Sequence, residues 1–347
     1  MTKTVVIAGA ARTPMGGFQG DFAGTPSPEL GAAAIKGALA NAKVSVDDVD
    51  EVLMGCVLPA GLGQAPARQA TLGAGLPQSV PATTINKVCG SGMKTVMVAH
   101  DQIMAGSQDL MIAGGMESMT LAPYLSMKTR GGSRLGHVEM KDHMFLDGLE
   151  DAYEKGTLMG QYAELCAEKY QFTREDQDAY AVRSLTNALE AQKSGAFDAE
   201  IVPFTVKTRK GDIDVVADEQ PAKARPEKIP TLRPAFKKDG TVTAANASSI
   251  SDGAAAMIVT SDTVAQEKGL TVRAHIIGHA SHAHEPCWFT TAPVPAAKKL
   301  LKNIGWDVAD VDLWEINEAF AVVPMAFMKE FGISRDIVNV NGGACAL

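Results

Sequence analysis

The sequence predicts an α/β fold of duplicated units with an inserted loop domain, and three observations carry that expectation. Short apolar runs alternate with stretches of helical periodicity over residues 1–118, and the alternation resumes after Ser251. Between them, residues 119–249 gain charges and turn residues and lose the long apolar runs. A short pattern also recurs: Leu39, Asn41, Val46, Asp48, Val49 and Asp50 match Leu301, Asn303, Val308, Asp310, Val311 and Asp312 at a constant offset. In both copies a helix leads through a Val-Asp turn into an apolar strand, as a duplicated unit would. At 347 residues the chain exceeds one compact core, so two or three domains are expected. The expected division is 1–118 with 250–270, an insert over 119–249, and 271–347.

The elements follow in order. Residues 5–8 form a first strand, and 28–42 a helix with Leu30, Ala34, Ile35 and Leu39 on one face. A strand is expected at 51–56, a helix at 65–74 opened near Pro66, and a strand at 83–86. Residues 92–105 have the periodicity of a buried helix, and 109–113 form a strand ending at Gly114-Gly115. This order implies a mainly parallel sheet. In the insert the clearest helix spans 173–193, with Thr173 as N-cap, Asp176 three residues on and Gly195 as C-cap. Residues 206–216, with Lys210-Gly211, read as a hairpin. Beyond Ser251 the spacing predicts a helix opening at 252–256 and strands at 256–260 and 273–279. A helix at 295–304, a strand at 311–314, a helix at 318–331 and a last strand at 338–340 complete the series.

Composition narrows the function. Hydrophobic residues at 46% and charged residues at 21% suit a globular chain and exclude whole-chain disorder. A net charge of −8 and 5% aromatics leave neither a concentrated basic face nor a base-stacking platform, so no nucleic-acid partner is expected. The five cysteines, Cys56, Cys89, Cys166, Cys287 and Cys345, are odd in number and widely spaced, with no Cys-x-x-Cys pair. That argues for a reducing compartment and against a disulfide framework or zinc ribbon. No apolar run reaches membrane-helix length, and the first ten residues read as a strand, so a cytoplasmic protein without membrane contact is expected.

The sharpest chemical feature is Asn86-Lys87-Val88-Cys89-Gly90-Ser91-Gly92-Met93-Lys94, where a short strand ends and a buried helix begins. Cys89 then stands at a helix N-terminus, where free N–H groups and the dipole favour thiolate. Gly90 and Gly92 let a substrate carbonyl approach the backbone, and the Cys89 N–H can help hold an oxyanion. A structural cysteine packed with Val88 is the alternative reading.

These residues resemble the thiolases, the family of acetyl-CoA acetyltransferases and 3-ketoacyl-CoA thiolases. Residues 86–94 match the acyl-cysteine motif, Gly114-Gly115-Met116-Glu117-Ser118-Met119 a second signature, Asn317-Glu318-Ala319-Phe320 a third, and Asn341-Gly342-Gly343-Ala344 begins a fourth. The resemblance covers essentially the whole chain. It implies a layered α-β-α-β-α core and a Claisen condensation. Cys89 takes an acetyl group from acetyl-CoA, and a second acetyl-CoA attacks it to give acetoacetyl-CoA and CoA, with thiolysis as the reverse. It implies that Asn317 orients a water on the thioester enolate. A cap on the following helix would also suit that residue. Ser248 and Ala244, in Thr243-Ala244-Ala245-Asn246-Ala247-Ser248, would contact the pantetheine arm. Leu149, Met159, Phe236, Ala319 and Phe320 match apolar positions around CoA, and Phe289 a position near the acyl α-carbon. CoA thioesters are the substrates, no further cofactor is implied, and a homotetramer is expected, with part of the 119–145 region between dimers.

Three departures from the family bear on this. The chain ends at Cys345-Ala346-Leu347, where the family continues with Gly-His-Pro and later Cys-x-Gly. None of the seven histidines matches the first motif, and Cys345 does not match the second, so a truncated member with little activity of its own is expected. Leu158-Met159 stands where bacterial biosynthetic members have His-Met, and Trp288-Phe289 where they have an aliphatic residue and Met. Short-chain acetoacetyl-CoA remains the expected substrate, with a longer or branched 3-ketoacyl-CoA as the alternative and a non-catalytic acyl-CoA or lipid carrier as the reading of a different class. Two other readings are weaker. His275, His279, His282, His284 and Cys287 are zinc-type ligands but share no face. Gly61-Leu62-Gly63 lacks the third glycine of a dinucleotide fingerprint.

Overall fold

The protein is described by a computed structural model covering residues 3–347, and it divides into two compact units. The first comprises residues 3–152, 199–217 and 251–277; the second comprises 153–198, 218–250 and 278–347.

In the first unit the elements are β1 (Val5–Arg12), β2 (Gly16–Gly17), α1 (Ser27–Ala42), β3 (Glu51–Gly55), α2 (Pro66–Gly73), β4 (Ala82–Ile85), α3 (Ser91–Ala105) and β5 (Leu110–Ser118). They continue with β6 (Tyr124–Leu125), β7 (Lys141–Asp142), β8 (Phe204–Thr208), β9 (Gly211–Val215), β10 (Ser251–Ser261), α7 (Asp262–Glu267) and β11 (Ala274–Ile276). The central sheet has the order β11-β1-β10-β5-β3-β4. Period-2 alternation sends Val52, Met54, Leu110, Ile112 and Ile258 to one face, against α1 and α2. Leu53, Met111, Ala113 and Val259 go to the other, against Ala99 and Ile103 of α3. The sheet therefore lies between helical layers, as an α/β fold requires.

The sheet is mixed, not mainly parallel. β3 pairs in parallel with β4 and β5, but β10 runs antiparallel to β5 and to β1. The helix expected at 252–256 is also absent: residues 251–261 form one continuous strand. Ala255 and Ala256 face Gly115 and Gly114 across the β5–β10 ladder, and a Cβ at Gly114 would stand 2.1 Å from the Ala255 carbonyl oxygen. Only small residues fit that approach, and they look helical in isolation.

Residues 119–249 do not form one body. The β8–β9 hairpin, at the place expected, joins the first unit. Phe204 packs edge-on against Phe22 at 5.4 Å, and Arg12 exchanges backbone bonds with Glu200 and Val202 at 2.8 and 2.9 Å.

The second unit holds α4 (Met159–Tyr170), α5 (Arg174–Ser194), α6 (Glu219–Lys223), α8 (Pro293–Ile304) and α9 (Val322–Phe331). α5 begins as expected, with Thr173 and Asp176 closing a reciprocal capping box and Gly195 ending it at φ 77°. α9 starts at Val322, not at residue 318, and its N-cap Ala321 offers no side-chain bond. The strands expected at 311–314 and 338–340 reduce to one parallel bridge between Trp314 and Val338, because 3₁₀ turns at Val308–Asp310 and Arg335–Ile337 consume the preceding residues. The recurring sequence does give recurring structure. α1 and α8 each end in a left-handed residue, Lys43 at 57° and Gly305 at 73°, followed by a 3₁₀ turn. Among the described residues no helix is long and apolar enough to cross a membrane.

Candidate active site

β4 ends at Ile85 and the chain turns through residues 86–90 into α3. Asn86 Nδ2 donates to the Val57 carbonyl at 3.3 Å, and Asn86 Oδ1 accepts the Val88 N–H at 2.9 Å. Ser91 Oγ accepts the Lys87 N–H at 2.8 Å and donates to the Val88 carbonyl at 2.6 Å. These bonds hold Val88 at φ 47°, a left-handed conformation that a β-branched residue adopts only under constraint. The strained residue immediately precedes Cys89, which stands exposed at the head of α3.

The surrounding glycines serve two purposes. A Cβ at Gly55, the last residue of β3, would lie 2.7 Å from the Ser91 carbonyl carbon, so this glycine lets the sheet edge and the start of α3 meet. A Cβ at Gly90 or Gly92 would meet nothing closer than 3.5 or 3.8 Å. Internal packing does not demand glycine at those two positions. Their small size leaves room at the head of α3, toward Lys87 at Gly90 and toward the β5 backbone at Gly92.

The thiol itself departs from expectation. Protein atoms crowd the sulfur although the residue reaches solvent, and this desolvation raises the Cys89 pKa. The Cys89 N–H, lying against its own sulfur, pulls it down, and the negative field of Glu117 pushes it up again. The net direction is upward, so the helix terminus does not by itself deliver a thiolate. A base has to draw off the proton before attack. Iodoacetamide labelling of Cys89 is therefore expected to be slow at neutral pH and to rise through a midpoint above that of an ordinary thiol. A midpoint below the ordinary value would contradict this.

Behind Cys89 lies a second cluster in the same unit. Glu117 Oε2 accepts the Val57 N–H at 2.7 Å, and Oε1 accepts the Leu58 N–H at 3.1 Å and faces Cys56 Sγ at 3.6 Å. Burial raises the Glu117 pKa, and the two backbone N–H groups oppose that. Burial and the neighbouring carboxylate push the Cys56 thiol up to about 12, which leaves it inert at neutral pH. In the sequence Glu117 stands out only as part of a signature. The available signal was an acid inside an otherwise buried strand.

In the second unit, Asn317 is exposed and sits in extended chain ahead of α9, so it does not cap that helix. Its neighbour Glu318 is fully buried. Glu318 Oε1 accepts from Tyr180 Oη at 2.9 Å and Asn339 Nδ2 at 2.8 Å; Oε2 accepts from Ser184 Oγ at 2.7 Å and the Cys345 N–H at 3.0 Å. This anchor, which sequence reasoning also missed, fixes the backbone that carries Asn317. Alongside runs the 241–249 segment. Asn246 is buried, donating to Asp178 Oδ1 and the Thr241 carbonyl at 3.1 Å each and accepting the Thr243 N–H at 2.8 Å. The Ser248 N–H donates to the Ala319 carbonyl at 3.0 Å. The turn so braced leaves Ala244 and Ser248 exposed.

The structure brings five of the expected apolar residues together: Met159, Phe236, Phe289, Ala319 and Phe320 share one cluster with Ala247. Phe236 and Phe289 both meet Phe320 edge-on, with centroids 5.9 and 6.4 Å apart. Beside the braced turn opens a cleft of about 330 Å³, lined by Ala244, Ala245, Leu232, Lys223, Arg225 and Lys228 among others. Its lysines and arginine suit the phosphates of a nucleotide-bearing ligand. Leu149 is half-buried in the first unit, at the end of a π-helical turn over Met144–Leu149. The five histidine and cysteine residues between 275 and 287 do not converge on a common point among the described residues.

An exposed cysteine on a strained strand-to-helix turn, in an α/β fold with a duplicated motif, is an arrangement that suits covalent acyl transfer. Residues 5–263 match the family described as "Thiolase, N-terminal domain" and residues 270–347 "Thiolase, C-terminal domain". The chain belongs to the thiolase family. It is 51% identical to acetyl-CoA acetyltransferase 2 of Arabidopsis thaliana, over 99% of this chain and 86% of that protein. It is 48% identical to the acetyl-CoA acetyltransferase of Schizosaccharomyces pombe, over 99% and 87%. Its fold superposes on the Bacillus anthracis acetyl-CoA acetyltransferase with a TM-score of 0.96 at 40% identity, covering 100% of this chain and 88% of that one. It also superposes on the Ascaris suum Acat5 thiolase in complex with coenzyme A, with a TM-score of 0.94 at 41% identity over 99% and 88%.

Proposed function

We propose that this protein is an acetyl-CoA C-acetyltransferase, joining two acetyl-CoA into acetoacetyl-CoA and CoA and catalysing the reverse thiolysis. The observation that carries the reading is the exposed Cys89 on its strained turn at the head of α3. Deprotonated Cys89 attacks the thioester carbonyl, and the CoA thiolate leaves. A second acetyl-CoA, having lost an α-proton to a base, attacks the acetyl-cysteine carbonyl; the carbon–carbon bond forms and the Cys89 thiolate is released. Asn317 orients a water toward the enolate oxygen, a role that an exposed amide on a fixed backbone can fill. Ser248 and Ala244 take the pantetheine arm, Met159, Ala319 and Phe320 give it an apolar wall, and Leu149 is a further apolar position for CoA. Both reactants arrive as CoA thioesters, so the reaction asks for no resident cofactor. Exposed Tyr124, Met127, Leu135 and Met140 in the 119–143 segment support assembly into a homotetramer, and cytoplasmic location belongs to the same reading.

The paired contacts of Phe236 and Phe289 with Phe320 favour a short acyl chain. Acetoacetyl-CoA is expected to be cleaved with a higher kcat/KM than 3-ketohexanoyl-CoA; the opposite preference would assign the protein to longer 3-ketoacyl-CoA. Phe289→Ala is expected to shift the ratio toward the longer substrate by about tenfold.

A further inference from the structure

One hydrogen-bonded path in the first unit ends at the nucleophile and starts at a group the chemistry does not touch. Glu117 binds the Val57 and Leu58 N–H groups at 2.7 and 3.1 Å. The Val57 carbonyl faces the other way and accepts from Asn86 Nδ2 at 3.3 Å. Asn86 Oδ1 accepts the Val88 N–H at 2.9 Å, and the next residue is Cys89. Carboxylate, peptide, side-chain amide and peptide thus form one chain of donors and acceptors. β3 and β4 set its ends in register, with Gly55 opposite Ile85 and the Cys56 N–H on the Ile85 carbonyl at 3.0 Å.

We propose that Glu117 and Asn86 are positioning residues for Cys89: the carboxylate fixes residues 56–58, and through Asn86 this holds the Val88-Cys89 peptide in its left-handed, sulfur-presenting shape. The inference deepens the proposed acyl transfer and rests on it only for its acetylation measurement. A charged acceptor polarises the Val57 peptide and strengthens its carbonyl toward Asn86. The groups facing Glu117 are Cys56 and His143, whose Nδ1 pairs with Asp147 Oδ2 at 2.7 Å and whose Nε2 lies 3.4 Å from the Ala60 N–H. The carboxylate also opposes the Cys89 thiolate through its charge. Positioning and ionisation therefore pull in opposite directions, which separates this role from plain structural support.

Two variants and their combination test it. The Val88 N–H donates to Asn86 Oδ1, so its exchange reports on that bond. Asn86→Ala alters an exposed side chain, and Glu117→Gln keeps shape while turning a donor toward one of the two N–H groups. Hydrogen exchange at Val88 is expected to speed up severalfold in each variant, and no further in the double variant, because both cut one path. In Glu117→Gln the pH midpoint of Cys89 alkylation moves down; in Asn86→Ala it stays. Acetylation of Cys89 by acetyl-CoA slows by about tenfold in both. Unchanged exchange at Val88 in Glu117→Gln, or effects that multiply in the double variant, would overturn the relay. A parent protein that is never acetylated would count against the acyl-transfer reading, while the exchange data still decide the relay.

Discussion

Replacing Cys89 by alanine is expected to lower acetoacetyl-CoA thiolysis on the order of 10⁴-fold while leaving the fold intact, because the covalent intermediate can no longer form. The residue reaches solvent and belongs to no core cluster, so its loss should change stability by less than about 0.5 kcal/mol. Cys89→Ser tests the same point more sharply. A hydroxyl holds its proton far more tightly than a thiol, and the crowding that raises the Cys89 pKa would raise it further still. Serine should therefore rescue little of the activity. Turnover assays beside thermal unfolding of both variants are the check, and an alanine variant keeping more than about a tenth of parental turnover would contradict the nucleophile assignment.

The second large effect is on stability. Glu318→Ala is expected to destabilise the protein by about 3–5 kcal/mol, the usual consequence of breaking a buried charge network. Four donors point at this fully buried carboxylate, from Tyr180, Ser184, Asn339 and the Cys345 peptide, and only the Asn339 amide keeps another acceptor, the Ile316 carbonyl. Glu318→Gln keeps the shape and one acceptor oxygen but turns an NH₂ group toward a donor, so its effect should be smaller. Thermal melts should show the alanine variant several degrees below the parent. Equal melting temperatures would mean that the network is not what holds the Asn317 backbone.

The turn that carries Cys89 was legible because its signal is local. Strand end, cysteine, glycines and helix start fall within residues 85–92, and the structure places them there in that order. The capping box of α5 and the β8–β9 hairpin were legible for the same reason. Their supports were not. Glu117 meets Val57 across 60 residues, and Glu318 meets Tyr180 across 138, and no periodicity reports a contact at that range. The direction of β10 was hidden in a similar way. Its Gly-Ala-Ala-Ala run favours helix by propensity, and only the close approach of Gly114 and Gly115 on β5 makes it a strand. The expected thiolate at Cys89 failed on a comparable ground: a helix terminus is read from sequence, whereas the crowding around the sulfur and the charge of Glu117 come from tertiary packing.

Peptide mass spectrometry after incubation with acetyl-CoA tests the central claim most directly. The peptide carrying Cys89 should gain the mass of one acetyl group, lose it again on addition of CoA, and show neither change in Cys89→Ala. Acetyl groups found only on other residues, or a Cys89 peptide that stays unmodified at a pH where its thiol is fully ionised, would contradict the account.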